Sequence, residues 1–458
     1  MNDVLARTID HALGLAPTAI PAAARQAARI FLLDSLAVGI AGARVPDAAR
    51  LAQALGGTSG GGEARVLCGG DALPAPLAAL RNAWQVHNQE FDCVHEGAVV
   101  HPMAVILGVL LAVAERRAIV ARRPVGGREF TDALVVAVDI AATIGLCARA
   151  PMRFFRPAMA GAIGALAGAA RLEGFDTATL RRAFGLLLGQ LSGTMQAHLE
   201  GTPGLPLQIG VNARAAITAL DFASAGLAGP LDAFEGPFGY FPLVEGSFDL
   251  APFDALGEVF RITEISHKPF PTGRAAHAAL DGIDLLQREH GFGAADVARV
   301  SLAAPPLILR LVGRTASAGM APAWARLCLP WLVATRLITG RVRVEDFDPA
   351  ALADPARLGI AQRVDWMANH CSDPNALVPQ TLTVVLHDGR CLVRELTAVL
   401  GAPARPLDRS AQLAKFHACL DAAPGRFAET HRIALLQAVD EFEQLADVRE
   451  LVSLCIAT

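Results

Sequence analysis

Apolar positions along the first 170 residues recur with helical period. In Ile20–Ala43 the residues Ala24, Ala28, Phe31, Leu32 and Leu36 fall on one stripe, which predicts an amphipathic helix. The same spacing predicts helices over Leu77–Asn88, Ala104–Arg117, Thr131–Arg149 and Ala158–Leu172, and further helices over 177–200 and 207–227. Alanine and glycine are frequent on these stripes, which suits close helix–helix approach. Over 228–262 the pattern breaks into Pro, Phe, Gly and Asp clusters, the signature of a connector. A period of two then takes over. Ala298–Leu302 reads as a strand, and 380–400 reads as a hairpin of two alternating runs around Asp388-Gly389. Residues 406–458 return to helix. The fold class expected is mainly α: a large discontinuous all-helical domain from both chain ends (1–262 and 405–458), with an inserted smaller α+β lid domain (263–404).

Composition narrows the function classes. With 53% hydrophobic and 18% charged residues, the chain of 458 residues is far from the disordered regime. A net charge of −4 without a basic stripe argues against nucleic acid as a partner. Mean hydropathy is high, +0.39, so a membrane partner needs testing. The apolar stretch between Glu96 and Glu115 contains His101 and Pro102, the one from Leu134 is cut by Asp139, and Pro157–Ala170 is too short, so all three read as buried helices. Asp3 and Arg7 precede any apolar run, unlike a signal peptide. Eight scattered cysteines without a CxxC pair suit reduced thiols and a cytoplasmic location. Gly56–Gly62 reads as a flexible loop and lacks the Lys-Ser/Thr ending of a phosphate loop.

Two segments concentrate polar chemistry in this apolar chain. The first, His87–Pro102 (HNQEFDCVHEGAVVHP), holds His87, His95 and His101 with Glu90, Asp92 and Glu96. Such side chains move protons near neutral pH. The spacing matches no common metal-ligand pattern, and His95-Glu96 does not begin an HExxH motif, so no metal is expected. The second, Ser266–Asp281 (SHKPFPTGRAAHAALD), holds His267, Lys268, Arg274 and His277. Pro269 and Pro271 stiffen the backbone. Thr272-Gly273 leads into a helix start that favours an anion, and Arg274 offers a bidentate fork for a carboxylate. The competing reading is a solvated loop in the first segment, with a surface lysine and a satisfied core histidine in the second.

Together the segments resemble the MmgE/PrpD family, which includes 2-methylcitrate dehydratase, cis-aconitate decarboxylase and iminodisuccinate epimerase. The residues that carry the resemblance are Asn82, His87, Glu90-Phe91-Asp92-Cys93, His95 and His101-Pro102, then Lys268, Phe270, Pro271, His277 and Asp281. The opening helix Ile30–Ala41 and the late hairpin extend it over most of the chain. The resemblance implies a homodimer without metal or organic cofactor, acting on a small di- or tricarboxylate by proton abstraction next to a carboxylate. It implies catalytic roles for Asp92, His101, Lys268 and His277. Glu90, His95, Arg156, Thr272 and Arg274 are the expected substrate-binding groups. Loss of water leads, with decarboxylation, isomerisation or epimerisation, and non-catalytic carboxylate binding as alternatives. Four positions depart from the family pattern: Leu205 where many members have Lys, Gln208 and Arg156 where many have His, and Trp331 in place of a tyrosine.

Overall fold

A computed structural model describes residues 3–56, 61–373 and 375–457. Its helical body is built around Pro102–Val120, a helix apolar on every side and buried along nearly its whole length. A helix of that kind belongs at the centre of a bundle. Ala22–Gly42, Ala75–His87, Gly127–Leu146, Arg156–Glu173 and Gly204–Ser224 surround it. Small residues set the spacing. A Cβ at Gly164 would lie 2.2 Å from the Ala137 carbonyl oxygen, and one at Gly42 would lie 1.9 Å from that of Gln85. Any side chain at either glycine would push two helices apart. Near Gly42 the docking is reinforced by Asn88 Nδ2, which donates to the Gly42 carbonyl at 2.8 Å, and by Gln89 Nε2, which donates to that of Ala41 at 2.6 Å. This fixes the end of the Ala75–His87 helix and the loop that follows.

The C-terminal helices return to this body. Phe416, Leu420, Leu435, Phe442 and Leu451 share one buried apolar cluster with residues of 4–265. Lys415 pairs with Asp34 at 2.7 Å and donates to the Phe91 carbonyl at 2.9 Å. A second cluster draws on 270–399. It covers one face of a four-stranded sheet ordered Val364–Ala368, Val297–Ala304, Gln380–Leu386, Cys391–Leu396, in which the first pair is parallel and the others antiparallel. Gln380, Leu382, Val384 and Leu386 alternate inward, and His277–His290 and Leu329–Thr339 pack in the same cluster. The hairpin turns at Gly389, whose φ of +92° suits glycine.

The mainly-α architecture with a small sheet matches expectation, and local boundaries differ. The helix expected over 177–200 is two, Thr177–Leu188 and Gln196–Glu200, separated by a turn at Gly189–Gly193. Asn212 holds that turn by bonding the Ser192 backbone, a contact from a distant helix that periodicity does not encode. The strand Val364–Ala368 and the short pair Ala64–Arg65/Ala72–Leu73 carry no alternation long enough to predict them. Of the predicted loop Gly56–Gly62, residues 57–60 lie outside the described residues. No helix among the described residues is long and apolar enough to cross a membrane.

Candidate active site

The two polar segments meet through a single antiparallel bridge. Val94 N–H donates to the Ser266 carbonyl at 3.0 Å, and Ser266 N–H returns to that of Val94 at 2.8 Å. His87 ends one helix and His101 caps the start of the central one, so the intervening loop must turn back sharply. Glu90 and Val99 do so with φ of +52° and +50°. A left-handed Val is a genuine outlier, and such strain persists only where the surroundings enforce it.

Asp92 is the hub. His87 Nδ1 lies 3.0 and 3.1 Å from its two oxygens, and His101 Nδ1 lies 3.2 Å from Oδ2. An ionised carboxylate only accepts, so both rings carry their proton on Nδ1. Burial would raise the Asp92 carboxyl, but the two imidazoles hold it well below the usual range. Burial also opposes charge on both rings. At His87 the Asp92 and Glu90 carboxylates outweigh it and raise the pKa. At His101 burial prevails over the Asp92 attraction, with Lys268 adding repulsion, and the pKa falls. His101 is therefore neutral near pH 7, with its Nε2 lone pair free.

Lys268 is fully buried behind this cluster. Its Nζ bonds the Glu90 side chain at 2.9 Å and the Glu90 carbonyl at 3.1 Å, and lies 3.9 Å from Asp92. Burial would raise Glu90, yet Lys268 and the two histidines bring it down to about 2.

A small cavity of about 70 Å³ opens beside the hub. His87, Glu90, Glu96, His101, Phe155, His198, Leu205, Gly273 and Arg274 line part of it. Of the residues expected to meet substrate, Glu90, His101 and Arg274 reach this wall. Lys268 and Asp92 stand behind it. His277 does not reach it either: its Nε2 donates to the Thr272 carbonyl at 3.2 Å, and its Nδ1 faces Arg274 at 3.5 Å. Burial, then Arg274 and Lys268, hold His277 well below its usual pKa, so it stays neutral. Thr272 is buried, its hydroxyl donating to the Gly273 carbonyl. Arg274 is already engaged by Glu96 at 2.7 and 2.9 Å and by the Leu400 carbonyl at 2.7 Å.

His95 and Arg156 lie away from the cavity. His95 accepts from the Ala98 N–H and donates to Glu264 at 2.8 Å. Arg156 forms a buried fork with Glu245, which also accepts from the Tyr240 hydroxyl. Arg156, expected to bind substrate, is instead paired with an acid 89 residues away that local spacing does not reveal. The converse omission is His198. It lines the cavity, and burial with the nearby Arg314 pushes it down to about 4, so its imidazole is neutral there. Only the broken helix places it so, and no local motif marks it.

His87, Asp92 and His101 also bring three potential metal-ligand atoms within 4.8 Å of one another. Here both Nδ1 protons point at Asp92, and the Lys268 ammonium stands 3.9 Å from it. A cation on this set would have to displace those bonds.

Residues 7–252 match the MmgE/PrpD N-terminal domain, and residues 270–441 match the MmgE/PrpD C-terminal domain. The chain belongs to the MmgE/PrpD family. Among curated relatives, this MmgE/PrpD chain is 23% identical over 408 residues to a cis-aconitate decarboxylase-like protein of Aspergillus oryzae, covering 85% of this chain and 84% of the relative. It is 25% identical over 301 residues to a cis-aconitate decarboxylase of Aspergillus terreus, covering 63% and 61%. A further Aspergillus terreus cis-aconitate decarboxylase is 28% identical over 194 residues, covering 42% and 39%.

Proposed function

We propose that this MmgE/PrpD chain is a lyase acting on a small di- or tricarboxylic acid: it removes a proton next to a carboxylate and expels water, or it releases carbon dioxide and returns a proton to the carbanion left behind. The observation that carries the reading is the Asp92–His101 pair at the cavity wall. Asp92 fixes the tautomer and orientation of His101, and the lowered pKa leaves the imidazole ready to accept a proton through Nε2. Removing a proton beside a carboxylate builds negative charge. The positive field of His87 and of buried Lys268, held in place before the substrate arrives, stabilises that charge without reorganisation. Lys268 then acts through Glu90 and Asp92 rather than by contact. His277 and Arg274 position the Thr272–Gly273 turn against the cavity. The named relatives support the decarboxylase branch, in which loss of carbon dioxide builds negative charge at the same place and a proton is delivered to it rather than taken from it.

The test is proton NMR in heavy water with a panel of cis-aconitate, citrate, 2-methylcitrate, substituted succinates and tartrates. New vinyl signals are expected, and carbon balance separates dehydration from decarboxylation. Exchange of an α-proton without a new product redirects the reading to an isomerase. An unchanged panel, with the acids binding all the same, leaves the scaffold a carboxylate-binding protein.

A further inference from the structure

A second, larger pocket of about 270 Å³ adjoins the cavity and shares four of its walls, His87, Glu90, Leu205 and Leu327. Trp84, Phe347 and several prolines make its lining largely apolar, and exposed Pro203, Ala321, Pro322 and Pro349 form its rim. At its wall stands Arg326, only 5% exposed. Among the described residues no carboxylate lies within salt-bridge distance of it. Its Nε is fully buried without a hydrogen-bond partner, no hydrogen bond from its terminal nitrogens is made among the described residues, and the residue lines the pocket. The guanidinium stacks 4.6 Å from the Phe347 ring centre, which orients its plane. Burial brings its pKa down to about 10, still charged at neutral pH. The pocket's acidic side chains are committed elsewhere: Asp348 to Arg44 at 3.0 Å, Asp47 to Arg50 at 2.6 Å, Glu90 to Lys268 at 2.9 Å. The Arg326 carbonyl accepts from the Gly273 N–H at 3.1 Å, which locks the residue to the cavity wall.

A buried, oriented guanidinium without a partner is costly unless an anion completes it. We propose that Arg326 is the specificity-determining group of this pocket, binding a second carboxylate of the ligand across an apolar spacer. The inference rests on the carboxylic-acid reading of the adjoining cavity. It narrows the ligand to an acid longer than one carboxylate and its immediate neighbours, with an apolar body against Trp84, Leu205 and Phe347.

Calorimetric titration of the full chain with glutarate, adipate and pimelate, against hexanoate and inorganic phosphate, tests this. At least one diacid should bind more tightly than hexanoate. Arg326→Gln should weaken that diacid roughly 10- to 100-fold, the contribution of a charge-assisted pair, and leave hexanoate unchanged. Arg326→Lys should recover part of the loss. Should Arg326→Gln not fold, Ala323→Phe narrows the pocket, which Ala323 also lines, and should produce the same loss. Unchanged diacid affinity in folded Arg326→Gln or Ala323→Phe overturns the proposal, as does absence of diacid binding to the wild type. Phosphate binding that depends on Arg326, without diacid binding, overturns the carboxylate assignment. Diacid binding that depends on Arg326 in a protein that turns over no acid leaves this site standing while the lyase reading falls. Turnover with an indifferent Arg326 does the reverse.

Discussion

The two polar segments carry similar inventories of histidines and charges, yet the fold uses them in opposite ways. In the first, the loop between two helix ends points His87, Glu90 and His101 into a cavity. In the second, Lys268 turns to Glu90 and His277 to the Thr272 carbonyl, and Arg274, which reaches the cavity wall, is already held by Glu96 and a backbone carbonyl. The difference follows from what surrounds each. The first segment enters and leaves the core through strained, left-handed residues at the edge of an open space. The second crosses the junction of two apolar clusters, where every donor must find an acceptor. A cationic side chain in a motif is therefore not by that fact free to meet a ligand.

This contrast can be broken most sharply at the two histidines assigned catalysis from sequence. His101→Ala should lower turnover roughly 10²- to 10⁴-fold, because it removes the proton acceptor. His277→Asn should lower kcat by less than about tenfold and show itself mainly in thermal unfolding. Equal losses of kcat in the two variants would erase the distinction.

Lys268→Met sets the next largest effect. It keeps the stem and removes the charge, leaving buried Glu90 without its ammonium partner and close to Asp92, with only the two histidines to offset the pair. Breaking a buried pair in this way costs about 3–5 kcal/mol of stability, measurable by urea unfolding. Adding Glu90→Gln to the same chain should recover part of that loss, because it removes one of the stranded carboxylates. A stable Lys268→Met protein with low kcat would instead move Lys268 from support to direct contact.

Acid should separate the segments by pH window. Burial brings His267, in the second segment, down to about 4. Its pKa is lowered on folding, so the unfolded chain takes up the proton first. Stability then drains away as pH falls from about 6.5 toward 4, by roughly 3 kcal/mol at the lower end. Glu90, in the first segment, is brought down to about 2. Its contribution is present above about 4.5 and is lost only as pH falls from there toward 2. Urea midpoints at pH 7, 5.5 and 4.5 for the wild type and for His267→Gln check the assignment. The variant should lose less stability between pH 6.5 and 4.5 than the wild type, and parallel curves would count against it.

The helical body, the hairpin around Asp388-Gly389 and the clustering of chemistry in two segments were legible from sequence, because each is a local pattern. Helix stripes, turn residues and motif spacing are written within about 20 positions of one another. The family resemblance, which implied catalytic roles for Asp92 and His101, rests on such runs. What each side chain faces was decided by tertiary structure. Arg156 meets Glu245, Lys268 meets Glu90 and Arg326 meets the Phe347 ring but no carboxylate among the described residues, and each of these outcomes depends on chain segments tens to hundreds of residues apart. His198 lines the cavity after a break in the helix that Asn212, on another helix, bonds. A charged residue reads alike in sequence whether it is paired, stacked or waiting for a ligand. Only packing, which determines how much water and which partners reach it, separates the three.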